Sequence, residues 1–414
     1  MPVPKLRFRD EQGQNYPDWQ NIFLGDIFIP INHFTSLDDR NKLYSLTVEN
    51  GITPKTERYD RSFLVKKNDK FKIVHKNEFV YNPMNMTIGA VGYNNLDKDI
   101  VVSGYYVVMR SNSINTDQFW YNWLKSYNAI RLFKRKATGS LTEKQRIQFS
   151  TFEKIKADIP SFPEQEKIAD FLTSYDRMID VQSQRVEAMK NRKKGLLQKI
   201  FSQEIRFKDE QGQDYPEWKK AQFCDLFSSL RKNSLSRDAL NYECGTLRNI
   251  HYGDILVKFH ATIKSMDSNI PYVNSNKIPK TYDVLKAGDI IIADTAEDET
   301  AGKGVELIED SIPTISGLHT LPYRPKINFA CGYLGYFLNS TIYHKQLLPL
   351  LHGIKVLSLT KSELEKTMIT YPSLPEQQKI ADFLTVVDTQ IEVEEKRLET
   401  MKTIKKGLLQ QMFI

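Results

Sequence analysis

Two stretches of this 414-residue chain are written twice, in the same order. Arg7-Phe8-Arg9-Asp10-Glu11-Gln12-Gly13-Gln14-Asn15-Tyr16-Pro17-Asp18-Trp19 returns as Arg206-Phe207-Lys208-Asp209-Glu210-Gln211-Gly212-Gln213-Asp214-Tyr215-Pro216-Glu217-Trp218. A second block opens at Ser161-Phe162-Pro163-Glu164-Gln165 and returns at Ser373-Leu374-Pro375-Glu376-Gln377. Its core, Lys167 to Thr173, recurs unchanged as Lys379 to Thr385, and its end, Lys193 to Gln198, recurs as Lys405 to Gln410. Chance does not produce matches of this length, and self-similarity at a long period marks a duplicated architecture. The segments between the blocks keep only faint echoes. Ser103-Gly104 corresponds to Ser316-Gly317, the aromatic-rich stretch with Phe119, Leu124 and Ser126 to Tyr333, Leu338 and Ser340, and Gly139 to Gly353. The two variable segments are therefore expected to share one fold while presenting different surfaces.

The second block predicts a long helix in each copy. Ser161-x-x-Glu164 and Ser373-x-x-Glu376 have capping-box spacing, with proline in the first turn. Residues then recur at alternating steps of four and three. In the first copy they are Ile168, Leu172, Tyr175, Ile179, Gln182, Val186, Met189, Lys193, Leu196 and Ile200; in the second, Ile380, Leu384, Val387, Ile391, Glu394, Leu398, Met401, Lys405, Leu408 and Met412. This is a heptad seam, and each helix of about 40 residues spans roughly 60 Å. Both seams break at equivalent places: Gln182 and Lys193, Glu394 and Lys405. An antiparallel pairing that sets Lys193 against Glu394 and Gln182 against Lys405 removes the cost of an unpaired buried lysine. The same register faces Tyr175 with Met412, Ile179 with Leu408, Val186 with Met401, Met189 with Leu398 and Leu196 with Ile391. A slip of one heptad is the competing register, and packing of each helix only on its own neighbouring domain is the competing arrangement. The expected partition is residues 1–160, a helix over 161–202, residues 203–372, and a helix over 373–414.

Composition narrows the function. Hydrophobic residues make up 40% and charged residues 26%, enough for packed cores. No run approaches the roughly 20 apolar residues of a membrane helix, the first residues lack the apolar stretch of a secretory signal, and Cys224, Cys244 and Cys331 are too few and too scattered for a disulfide or zinc framework. A cytoplasmic protein is expected. Lys plus Arg number 58 against 51 acids, net +7, a balance compatible with a polyanionic partner.

No motif supports catalysis. Asn82-Pro83-Met84-Asn85 lacks the second proline and the aromatic of an amino-methyltransferase motif, and Gly302-Lys303-Gly304 is not a phosphate loop. Pro163-Glu164-Gln165-Glu166-Lys167 holds nuclease-like residue types, but at a helix start its carboxylates are explained by capping and the helix dipole. The seven histidines show no metal-ligand spacing.

The paired Pro-x-x-Glu-Gln-x-x-Ile-Ala-x-Phe-Leu blocks, each ending in Lys-Lys-Gly-Leu-Leu-Gln, and the paired Tyr-Pro-x-Trp openings (Tyr16 to Trp19, Tyr215 to Trp218) resemble the specificity subunits of type I restriction-modification enzymes over essentially the whole chain. That resemblance implies an α/β (α+β) protein: two similar target-recognition domains separated by two long helices in an antiparallel, pseudo-two-fold coiled coil. Each domain would read one half of a bipartite, asymmetric site on double-stranded DNA, and the helices would set the gap. The implied partners are two modification (methyltransferase) subunits and the restriction (translocase and nuclease) subunits. S-adenosylmethionine, ATP and Mg are expected in those partners, with no cofactor in this chain.

Phosphate contacts come from Lys, Arg, hydroxyl and backbone groups, and base readout favours Arg, Lys, Asn, Gln, Ser and Thr. The DNA-binding candidates in the first variable segment are Lys55, Arg58, Tyr59, Asn82, Asn85, and Lys134, Arg135, Lys136, Thr138 and Ser140. In the second they are Arg248, His251, Lys258, His260, Thr295, Lys303, His352 and Lys355. Lys136, Ser140, His352 and Lys355 carry most weight, because they flank the recurring Gly139 and Gly353. A solvated surface charge is the plainer reading of any one of them, and Phe119-Trp120-Tyr121-Asn122-Trp123 reads as core rather than as a base-stacking platform. The alternative function is an interaction adaptor with two binding domains on a helical rod and no nucleic acid.

Overall fold

The computed structural model describes residues 4–36, 43–48, 51–54, 70–112, 116–139 and 145–413. The chain divides into two compact units, residues 1–184 with 396–414, and residues 185–395.

The same elements recur in the same order in each unit. In the first, Gln20–Phe23 pairs antiparallel with Lys156–Ile159, and an antiparallel sheet runs in the order Phe28–Ile31, Val107–Ser111, Phe79–Tyr81, Val91–Tyr93. In the second, Lys219–Gln222 pairs with Met368–Tyr371, and the sheet runs Phe227–Ser229, Thr320–Pro325, Ile290–Ala293, Gly304–Glu309, with Thr262–Lys264 added parallel at its edge. The central strands, Phe79–Tyr81 and Ile290–Ala293, are buried at every residue. Such continuous apolar runs lie between two covered faces. The aromatic stretch forms the helix Asp117–Leu124, with Phe119, Trp120 and Trp123 in the core. Tyr333–Leu338 is its counterpart. A second helix follows in each unit, capped by Ser126 on the amide of Ala129 and by Ser340 on that of Tyr343, both at 3.2 Å.

The duplicated opening motif is a latch on the start of each long helix, Phe162–Phe201 and Leu374–Met412. Arg7 donates from Nε and Nη2 to the fully buried Glu164 carboxylate at 2.9 and 2.7 Å, and from Nη2 to the carbonyls of Tyr16 and Pro17. Arg206 repeats this on Glu376 at 3.2 and 2.8 Å and on the carbonyls of Tyr215 and Pro216. The Asp-Glu-Gln-Gly-Gln turns are closed by Asp10 and Asp209 accepting local amides, with Gly13 and Gly212 both at φ 78°. The expected capping boxes are corrected here. Glu164 and Glu376 turn to the arginines, and the Ser161 and Ser373 hydroxyls take no hydrogen bond among the described residues. A bidentate arginine on a desolvated carboxylate is the stronger bond.

Within each unit the two long helices run antiparallel. In the first, Lys405 pairs with Asp176, and Met412 and Leu408 share the core with Ile168 and Leu172. In the second, Lys193 pairs with Asp388, Arg185 with Glu394 at 2.8 Å and Lys190 with Glu395 at 2.6 Å; Ile200 and Leu197 join Ile380 and Leu384. The expected facing of Lys193 with Glu394 and Gln182 with Lys405 is thus displaced by about one heptad, Lys193 meeting Asp388 and Lys405 meeting Asp176. The reason lies outside the seam. Asp176 and Asp388 flank it and accept the lysines, Tyr336 donates to Asp388 at 2.9 Å, and the apolar helix ends are buried in the unit cores. A double-mutant cycle of Lys193→Ala with Asp388→Ala is expected to give a coupling of about 1–2 kcal/mol in chemical denaturation, larger than the same cycle on Lys193 and Glu394.

Candidate nucleic-acid interface

In the second unit a series of exposed basic side chains rests on carboxylates that are buried or largely covered. Asp254, 0% exposed in its side chain, lies in the short helix Tyr252–Val257 and receives Arg237 bidentately at 2.7 and 2.9 Å and Lys258 at 3.0 Å. Lys258 also donates to the Tyr242 hydroxyl at 2.7 Å, a bond that raises the Lys258 pKa. Tyr252 packs edge-on against His319, whose Nδ1 lies 3.2 Å from Asp294. Asp294 also accepts from Lys232 at 2.9 Å and from Thr295 at 2.8 Å. His319 sits at φ 54°, a left-handed conformation that costs an ordinary residue on the order of 1–2 kcal/mol. Thr295 pairs with Ser358 across a short antiparallel ladder, and Ser358 closes a loop on His352 by two backbone bonds of 2.8 and 3.0 Å. His352 meets Glu363, whose carboxyl is held below its ordinary value by hydrogen bonds from Thr360 and His352.

These contacts form one connected surface. The heads of Lys232, Arg237 and Lys258 are oriented by their acids yet stay 41%, 45% and 37% exposed, so their outer hydrogens remain available to a polyanion. Fixed cations of this kind are what phosphate contacts require.

Of the sequence-stretch candidates in this unit, Lys258, Thr295 and His352 belong to that surface, and Lys355 is exposed on its loop. His260 is exposed as well. Three others are corrected to structural roles. Arg248, 6% exposed, donates to the carbonyls of Ser265 and Asp267 and to the Tyr272 hydroxyl, with its guanidinium 4.5 Å from the Tyr272 ring. Lys303 donates to the carbonyls of Leu256 and Phe259, and burial lowers its pKa. His251 is buried and accepts from the amide of Gly253 as a helix N-cap at 3.3 Å. Lys232, Arg237, Tyr242, Tyr252 and His319 escaped the sequence reading, since nothing in their spacing marks them; they converge only through the sheet.

In the first unit, Lys55, Arg58, Tyr59 and Ser140 lie outside the described residues. Asn82 and Asn85 form a tight turn in which the Asn82 side chain accepts from the amide of Met84 at 3.0 Å. The carbonyl of Pro83 accepts from the amide of Ile147, next to the Thr138–Arg146 bridge, so this turn, Lys136 and Thr138 lie at one end. Gly139 and Gly353 hold matching φ values of 125° and 124° beside equivalent bridges. Lys134 and Arg135 are exposed on the preceding helix, and Arg135 lines a cavity of about 260 Å³ with Arg131 and Lys156. Among the described residues no cluster of metal-ligand side chains occurs, and no helix is long and apolar enough to cross a membrane.

Residues 16–191 and 217–403 each match the type I restriction modification DNA specificity domain. The chain belongs to this family. It is similar to the type I restriction enzyme MjaVIII specificity subunit of Methanocaldococcus jannaschii, 26% identical with 97% of this chain and 94% of the relative covered. It is also similar to the putative MjaX specificity subunit of that organism, at 22% with the same coverage. The fold matches the S subunit of a type I restriction-modification system from M. genitalium at 14% identity, with 100% and 99% of the two chains covered and a TM-score of 0.53. A second solved chain, from work on assembly and conformational transition of the type I system, matches at 16% identity, with 96% and 98% covered and a TM-score of 0.55. The chain is thus a DNA specificity subunit with two target-recognition domains, and its role is recognition, not catalysis. The adaptor alternative is not favoured.

Burial, then the charge of Arg237, pulls the His251 pKa down to about 4, against about 6.5 in an unfolded chain. A depressed imidazole stabilises the fold fully above the unfolded value, and that contribution is lost as pH falls from about 6.5 toward 4. His251→Asn keeps an N-cap acceptor and removes the titration. The variant is expected to show a shallower fall of Tm between pH 7 and 4.5 than the parent chain in thermal melts.

Proposed function

We propose that the cation-on-acid surface of the second unit faces one half of a bipartite, asymmetric site on double-stranded DNA, and that the first unit reads the other half through the end carrying Asn82, Asn85, Lys136 and Thr138. The observation that carries this reading is the layer of exposed Lys232, Arg237 and Lys258 oriented on the buried Asp254 and the largely covered Asp294, with the exposed His319 and His352 beside them. The long helices set the gap between half-sites, as a spacer of about 60 Å suits half-sites about a turn of duplex apart. Two modification subunits dock on the helices, and restriction subunits complete a cytoplasmic complex. S-adenosylmethionine, ATP and Mg belong to those partners.

The test is DNA binding by the full chain with its modification subunits at varied salt. Lys258→Ala leaves Asp254 its bidentate Arg237, and Lys232→Ala leaves Asp294 its hydrogen bond from Thr295, so the fold is retained. Each is expected to weaken all duplexes alike and to reduce the slope of log K against log salt by about 0.9. A flat salt response of the parent complex would sink the reading.

For the docking of partners, Val181 and Val393 occupy equivalent positions of the two helices and are 65% and 58% exposed. Exposed apolar residues recurring at matched positions suit a partner that binds twice. Val181→Asp combined with Val393→Asp is expected to lower modification-subunit binding at least tenfold in titration calorimetry, with Tm unchanged.

A further inference from the structure

The loop from His352 to Ser358 is built to project one apolar side chain. Its two ends are joined by paired backbone bonds, and Leu357–Ser358 is stitched to Thr295–Ala296 at the cation layer. Gly353 is fixed at φ 124°, where a Cβ would meet the Val356 carbonyl oxygen at 1.9 Å, so only glycine can make this turn. Beyond it Ile354 is 100% exposed and Val356 51% exposed, with exposed His352 and Lys355 beside them. A single exposed apolar residue is ordinary on a protein surface. One held on a loop fastened at its base to the strand that follows Asp294, with exposed His352 and Lys355 on the same loop, is placed for contact with what the neighbouring basic surface attracts. The edges of DNA bases in the major groove are hydrogen-bonding groups with one apolar exception, the C5 methyl of thymine.

We propose that Ile354 is a specificity-determining residue that packs on the C5 methyl group of one thymine in the half-site read by the second unit. The inference rests on the DNA-facing reading of the cation layer. Lys355 and His352 meet the flanking phosphates, and the isoleucine distinguishes A·T from G·C at that position.

The experiment uses the full chain bound to its modification subunits and a duplex carrying its recognition sequence, established by mapping methylated bases. Deoxyuridine replaces each thymine of the site in turn, which deletes only the methyl group. At one position the parent complex is expected to lose about fourfold in affinity, the effect of one buried methyl-sized group. Ile354→Ala is expected to bind the thymine duplex correspondingly less well and to lose all discrimination between thymine and deoxyuridine at that position alone. The side chain is fully exposed, so an unchanged Tm confirms that folding is not the cause. If no position shows a deoxyuridine effect that depends on Ile354, the proposal is overturned. It is equally overturned if Ile354→Ala releases the modification subunits with base preference intact, since the residue then contacts a protein. Lys232→Ala, run in parallel, separates the two levels. A reduced salt slope without methyl coupling removes only the role of Ile354, whereas an unchanged slope removes the DNA-facing surface itself.

Discussion

Neither unit completes its core from its own variable segment. Met412 and Phe413, from the end of the second long helix, are buried among Phe119, Leu124 and Ile168 in the first unit. Ile200 and Phe201, from the end of the first long helix, are buried among Tyr333, Phe337 and Ile380 in the second. Burying one such phenylalanine contributes about 2–3 kcal/mol, a large part of a domain's net stability. The helix ends are therefore structural parts of the recognition domains. Their insertion fixes where each helix lies along its partner, and the polar pairs adapt to that position.

The electrostatics follow the same logic of duplication with local adjustment. Lys405 with Asp176 and Lys193 with Asp388 are the same pair written twice, as are Arg7 with Glu164 and Arg206 with Glu376. These contacts belong to the repeated blocks and serve the scaffold. The cation layer on Asp254 and Asp294 belongs to a variable segment, and its lysine and arginine heads are exposed, where a change of side chain leaves the core untouched. A specificity subunit needs this separation. The surface of a variable segment can diverge while the scaffold contacts are kept.

Burial also explains which recognition candidates the fold withdraws. Arg248, His251 and Lys303 are polar residues in apolar surroundings, and each answers a local backbone demand for a donor or acceptor. Lys232 and His319 stand far apart in sequence from Thr295 and His352, yet one shared carboxylate, Asp294, and one short ladder bring all four to the same surface.

The sequence by itself determined the duplication, the two long helices and the family, because these rest on periodicity and on repeated words that any reader of the chain can align. It also marked Gly139 and Gly353, whose left-handed backbone singles out glycine at both turns. Tertiary structure decided the helix register, since the balance is set by where Met412, Phe413, Ile200 and Phe201 are buried rather than by the seam alone. It decided as well which cations stay outside. Whether a lysine or histidine faces solvent or a backbone carbonyl depends on neighbours supplied by distant strands, and no local pattern in the chain encodes those neighbours.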